Sequence, residues 1–242
     1  MKKIFVILMC FALFMCSCTN PKEAEKYFES GYNKVKAGDY SGGMKDCSRA
    51  IELNSRFSEA YNTRGIAKYK TGDHTGAIKD FSKAIEFDSK NGTAYFNRGV
   101  AEMEVVDYKS AVKDFDKMIE LSPKMQVAYV KRGLTKDKIG DNNGAIKDYD
   151  TAVELNPNDY IVYNDRGAEK YKIGDFKSAL KDYDVAVKLN PQFKEAYYNR
   201  AVDEEAITDF KSALADYKMA MKLGYKDAED NIKKMEKEIK KK

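Results

Sequence analysis

The stretch from Ala60 to Asp88, AYNTRGIAKYKTGDHTGAIKDFSKAIEFD, is two helical patterns broken once, at Gly72-Asp73. Glycine accepts the left-handed backbone that ends a helix, and aspartate caps the start of the next one. The same pattern returns as AYFNRGVAEMEVVDYKSAVKDFDKMIELSP at residues 94–123 and as AYVKRGLTKDKIGDNNGAIKDYDTAVELNP at residues 128–157. The unit is therefore a helix, a tight turn and a second helix, and the chain is built by repeating it.

Working outward, Arg64, Arg98, Arg132, Arg166 and Arg200 stand 34 residues apart. Asp46, Asp80, Asp114, Asp148, Asp182 and Asp216 keep the same period, as do Tyr27, Tyr61, Tyr95, Tyr129, Tyr163 and Tyr197. Six copies tile residues 24–57, 58–91, 92–125, 126–159, 160–193 and 194–227 without insertion. Gly31, Gly65, Gly99, Gly133, Gly167 and Ala201 recur with this period in the first helix, small residues that let helix backbones approach. Ala77, Ala111, Ala145, Ala179 and Ala213 recur likewise in the second helix, as do Ala50, Ala84, Ala152, Ala186 and Ala220. This period and these small residues resemble the tetratricopeptide-repeat family over most of the mature chain. The resemblance implies an all-α fold, a right-handed α-solenoid of six helix-turn-helix units, in which stacking supplies the core that one unit lacks.

The departures carry expectations of their own. Val106 and Thr208 replace the turn glycine, so those corners should be strained or reshaped. Repeat one has Ser30 where the others have arginine, and Ser41-Gly42-Gly43 where its second helix begins, which marks it as the least stable unit. Pro123, Pro157 and Pro191 punctuate the ends of repeats three to five. Residues 228–242, AEDNIKKMEKEIKKK, place Ile232, Met235 and Ile239 on one helical face, a capping helix with a basic tail.

The first residues differ in kind. MKKIFVILMCFALFMCSC pairs two lysines with an apolar run from Ile4 to Met15, shorter than the ~20 residues a membrane span needs. Residues 1–17 read as an export signal, and the residues before Cys18 resemble a bacterial lipobox, making Cys18 the lipidated first residue, with 18–23 as a short linker. An ordinary signal peptide is the alternative, since Met15 and Cys16 depart from the usual residues. A cell-envelope lipoprotein follows, with a secreted or periplasmic chain as the other outcome. Cys47 alone remains in the body, so no internal disulfide framework is expected, and it reads as a small core residue.

The net charge of +4 over 242 residues gives no basic stripe for nucleic acid. His74 is the single histidine, too few for a metal cluster, and no P-loop, Rossmann, nucleophile-elbow or zinc-protease motif occurs. We expect no enzyme, no metal and no cofactor. The repeated Arg and Asp read as structural: each Asp is expected to pair with the residue eighteen positions later, Asp46 with Arg64 through Asp182 with Arg200, and Asp216 with Lys234.

The resemblance also implies a concave groove lined by first helices. Phe28, Asn62, Phe96, Val130, Asn164 and Tyr198 fall at the lysine site of the carboxylate clamp of chaperone-binding members, so that clamp is absent. The residues expected to meet a partner are Phe28, Lys36, Asn62, Tyr69, Lys70, Phe96, Met103, Lys138, Asn164, Tyr171, Lys172 and Tyr198. Aromatic anchors beside a lysine strip interrupted by Glu104 suit an extended or helical segment of another protein that carries apolar and acidic residues. The layout resembles small lipoproteins that assist outer-membrane assembly. A module for cell-wall glycan, or a self-assembling structural protein, is the alternative.

Overall fold

The computed structural model describes residues 20–241; the leader, Cys18 and the final lysine lie outside the described residues. Among the described residues there are thirteen α-helices and no strand. They pack as two units that divide at a repeat boundary, one ending at Asn91 and the other beginning at Gly92. The first unit holds α1 (Pro21–Lys36), α2 (Tyr40–Leu53), α3 (Ser58–Lys70) and α4 (His74–Phe87). The second holds α5 (Gly92–Glu104), α6 (Tyr108–Leu121), α7 (Gln126–Lys138), α8 (Asn142–Leu155), α9 (Tyr160–Lys172) and α10 (Phe176–Leu189). It continues through α11 (Lys194–Ala206), α12 (Phe210–Lys222), a 3-10 turn at Lys226–Ala228 and α13 (Glu229–Lys241). The class is an all-α helical-repeat solenoid.

The turn chemistry works as its residues dictate. Asp39, Asp73, Asp107, Asp141, Asp175 and Asp209 each cap the second helix of a repeat, accepting from a backbone N–H three residues on. Just before the cap, Gly38, Gly72, Gly140 and Gly174 take φ between 79° and 87°. Pro21 opens α1 at a position whose N–H would have no helical partner, with Asn20 as the cap. Helix therefore replaces the last part of the linker expected over residues 18–23.

Inside each repeat the two helices touch through the small residues. A Cβ on Gly65 would fall 2.6 Å from the Phe81 ring, so the glycine sets how closely α3 approaches α4. Phe81, Phe115, Tyr149, Tyr183 and Tyr217 fill this place in repeats two to six, all almost fully buried. Cys47 takes it in repeat one, with its thiol pushed up to about 11 by burial, as suits a core residue. At the far end Met235 of α13 is fully buried with Ala228 against Tyr217 and Ala213, and Ile232 packs onto the same cluster. Residues 228–241 thus cover the last repeat, as their apolar face implies.

Of the two outcomes expected at Val106 and Thr208, strain or reshaping, the structure shows strain. Both residues adopt φ 64° and keep the turn, with the Asp107 and Asp209 amides closing onto the Glu102 and Glu204 carbonyls at 2.9 Å. The same bond closes the glycine turns, from Asp141 to Lys136 for example. The fold is kept and the cost is carried as left-handed backbone in β-branched residues, ~1–2 kcal/mol each. Val106→Gly and Thr208→Gly are therefore expected to raise the unfolding free energy by about 1 kcal/mol apiece. Gly140→Val, where a Cβ meets nothing within 4 Å, should lower it through φ alone. Urea melts of the three variants check both signs.

Candidate functional site

The recurring ion pairs lie within repeats. Arg64 donates through Nε and Nη2 to both oxygens of Asp80 at 2.8 Å. Arg98 with Asp114, Arg132 with Asp148, Arg166 with Asp182 and Arg200 with Asp216 repeat this fork, each pair sixteen residues apart. The eighteen-residue pairing expected from the spacing is thus corrected. Arg64 and Asp80 each lie eight residues from Gly72, and residues equidistant from the turn of an antiparallel pair face one another. Asp46 instead accepts from Ser30 at 2.6 Å and Lys34 at 2.7 Å, while Lys234 pairs with Glu205 rather than Asp216.

The arginines do link neighbouring repeats, through a residue the spacing argument passed over. Nη1 of Arg132, Arg166 and Arg200 reaches back to Asp116, Asp150 and Asp184 at 2.6–2.8 Å, and Nη1 of Arg64 reaches Ser48 at 3.0 Å. Each of these guanidiniums also lies over the ring of the tyrosine three residues earlier, at 5.3–5.6 Å.

A third member of the cluster varies. Lys34, Lys68, Lys136 and Lys170 each place an ammonium 2.7–2.9 Å from the same aspartate. At this position repeats three and six carry Glu102 and Glu204, so a carboxyl replaces a cation beside Asp114 and Asp216. One oxygen of each glutamate is buried without a partner. Burial, and then the neighbouring aspartate, push both up to about 8.

The first helices of the second unit present the residues expected to meet a partner. Phe96 packs 5.7 Å from Phe115, Tyr171 5.5 Å from Phe176, and Tyr198 5.5 Å from Tyr217. Their rings are thus half-committed to their own repeats. In the first unit Phe28 lies 4.9 Å from Phe57, and Tyr69 lies edge-on to His74 with Lys70 over its ring. Met103 is partly buried and Lys36 and Lys138 are exposed. Lys172 is less free than a lysine strip requires, because its ammonium is held by Asp137 and, at 2.7 Å, by Glu169. Asn164 is buried, donating to Asp165 at 3.3 Å and accepting from Asn199 at 2.9 Å. It serves the helix contact rather than the surface.

The structure brings two of the expected residues together. Tyr171 and Tyr198 line one recess of about 350 Å³ with Val202, Glu205, Ala206, Tyr217 and Asn231. Tyr225 stacks on Tyr198 at 4.3 Å. Tyr217 donates to Glu205 at 3.0 Å, Asn231 donates to the Tyr217 hydroxyl at 3.3 Å, and Lys234 holds the other Glu205 oxygen. The Tyr217 hydroxyl and the Glu205 carboxylate of the wall are thus paired, and much of what remains offered is aromatic and aliphatic surface. Sequence reasoning missed Val202, Glu205, Tyr217 and Asn231. Val202 and Glu205 share the helical face of Tyr198, which is a readable signal, whereas Asn231 arrives from α13 only through tertiary packing.

Among the described residues no group of three or more His, Cys, Asp or Glu is placed to hold a metal ion, and no helix is long and apolar enough to cross a membrane. Fold and site together define a helical-repeat scaffold of the kind that engages other proteins. Models of the TPR or tetratricopeptide repeat match residues 67–104, 127–159 and 164–228, together more than half the chain, and the chain belongs to that family. It is similar to YrrB, a TPR protein with an unusual peptide-binding site (24% identity, TM-score 0.66, covering 74% of this chain and 92% of that one). It is also similar to pilF of Pseudomonas aeruginosa (16%, TM-score 0.72, 90% and 98%). A third similar structure is MamA of Desulfovibrio magneticus RS-1 (19%, TM-score 0.66, 71% and 97%). No curated protein sequence matches the chain. At these identities the likeness is one of fold.

The glutamates give a pH dependence. The folded chain holds their protons where the unfolded chain, at about 4.5, has released them. Their contribution is whole below about 4.5 and drains away as pH rises through about 8. Stability should therefore fall between about pH 4.5 and pH 8, by at least ~1–2 kcal/mol per carboxyl, and level off above. In Glu102→Gln/Glu204→Gln that slope is expected to flatten, and parallel thermal melts across the pH series read the difference.

Proposed function

We propose that this chain is a non-enzymatic adaptor of the bacterial cell envelope. A lipid on Cys18 holds it to a membrane, and it grips a segment of another protein on its first-helix surface. The observation that carries the reading is the recess between α9, α11, α12 and α13, where three tyrosines and Val202 surround space sufficient for a partner's side chain. Its Tyr217 hydroxyl and Glu205 carboxylate are already paired, so it suits an apolar or aromatic anchor, the kind of residue that dominates binding energy at interfaces. YrrB, a repeat protein of like fold, has a peptide-binding site, which supports the same use of the scaffold here. Glycan stacking is less well served, because Tyr198 already has Tyr225 against one face.

A photo-crosslinking side chain placed at Val202 in cells tests the site, with the same group at Lys147 on α8 as control. Adducts with a discrete protein at 202, absent at 147 and reduced by Tyr171→Ser in a helical variant, are the expected outcome. Identical adducts from both positions would sink the reading. The anchor has its own test, the intact mass of the membrane-extracted chain. A diacylated product beginning at Cys18 is expected, and an unmodified product cleaved elsewhere would contradict it.

A further inference from the structure

Repeat one keeps two parts of the arginine cluster and lacks the third. Tyr27 and Asp46 occupy the tyrosine and aspartate positions, but Ser30 stands where five repeats have arginine. A recess of about 350 Å³ opens there, lined by Glu23, Lys26, Tyr27, Ser30, Lys34 and Asp46. In each of the other five repeats a guanidinium fills the equivalent place, its Cζ 5.3–5.7 Å from the tyrosine ring centre. There Nε donates to Oδ2 and Nη2 to Oδ1 of the aspartate.

The occupancy of Asp46 matches a cluster with its arginine removed. Ser30 and Lys34 both donate to Oδ2, and among the described residues Oδ1 accepts no hydrogen bond. Oδ1 is the oxygen that receives Nη2 in all five complete clusters. Lys34 is no obstacle, since Lys68, Lys136 and Lys170 make the same contact beside an arginine in repeats two, four and five. A planar fork over an aromatic face suits guanidinium in a way that an ammonium does not reproduce.

We propose that repeat one carries a binding site for an arginine side chain of a partner protein, formed by the Tyr27 ring, the Asp46 carboxylate and the space above Ser30. The molecule itself supplies five precedents for the occupant. Residues 1–19 and 242 contain no arginine. In complete clusters Nη1 reaches out to a neighbouring helix pair, as from Arg132 to Asp116. A partner's arginine would thus tie that partner to α1 and α2 as the array ties its own members. The site is separate from the recess beside α13 and stands or falls independently of it.

The test titrates the full mature chain with Nα-acetyl-arginine amide and, in parallel, its lysine analogue, following Tyr27, Ser30 and Asp46 by NMR at constant ionic strength. Saturable shifts confined to these residues, several-fold weaker with lysine, are expected, as is their loss in Asp46→Asn. Ser30→Arg should close the site from within, abolishing the shifts and raising the melting temperature. Diffuse, non-saturating shifts would overturn the proposal, and so would a Ser30→Arg chain that is less stable or still binds. A dimer dispersed by Ser30→Arg would assign the arginine to a second copy and overturn its assignment to another protein.

Discussion

In repeats two to six the two helices are held in register by one interaction, a guanidinium laid across a nearly buried carboxylate at equal distance from the turn. Asp80, Asp114, Asp148 and Asp182 are 3–4% exposed, so their charge must be answered by the facing helix. A slip of one residue would strand both ions, which makes the pair a register lock more than a source of net stability. The fork leaves Nη1 over, and in the second unit that nitrogen ties Arg132, Arg166 and Arg200 to the repeat before. One side chain thus fixes the inside of a repeat and its seam. The close glycine contact and the tyrosine under the guanidinium follow from the same register.

The fold was legible because its signals are local and periodic: aspartate caps, turn glycines and small residues each recur every 34 residues. The pairing was misread for an equally plain reason. With Arg and Asp both on a 34-residue period, the aspartate of repeats two to six has an arginine sixteen residues before it and, wherever the next repeat supplies one, another eighteen after, and spacing alone cannot choose. The choice belongs to the antiparallel geometry, which is symmetric about Gly72 or Gly140 and so selects sixteen. Lys234 misled because it completes the eighteen-residue series, while in the fold it meets Glu205. The candidate site was half legible: Tyr171 and Tyr198 follow from helical spacing, but Asn231 and Lys234 come from a helix outside the repeat.

The irregularities are ordered. Val106 and Thr208, the left-handed non-glycine residues among those described, lie in repeats three and six, and so do Glu102 and Glu204. Both substitutions therefore recur 102 residues apart, and the repeat sequence reads as two blocks of three. Each third repeat combines a strained turn with a carboxyl set beside the carboxylate its arginine must neutralise. These are the least economical joints of the array, and they share one turn, since the Glu102 carbonyl accepts the amide of Asp107. Compensation of another kind occurs where Met118 stands in the place of alanine. Gly92 faces it, and a Cβ there would come within 2.9 Å of the methionine sulfur. A larger residue on one helix is matched by the loss of one on its neighbour.

The two ends of the described chain answer different problems. At the C-terminal end α12 would expose the apolar surface that another repeat covers in the interior, and α13 meets that surface with Met235 and Ile232. In doing so it carries Asn231 and Lys234 to the recess, pairs the Tyr217 hydroxyl and Glu205, and leaves a wall whose remaining character is aromatic. Capping the core and shaping the recess are thus one act of packing. At repeat one the second helix meets α1 through a cysteine where later repeats use a large aromatic ring, and the arginine is missing from its cluster. The smaller core residue lets Gly31 and Cys47 approach, with a Cβ at Gly31 falling 2.7 Å from the sulfur. The hairpin therefore holds its register through Ser30 and Lys34 on Asp46, without the guanidinium. A repeat that closes without its arginine keeps the arginine's place open, and this is the physical difference between the first repeat and the five that follow.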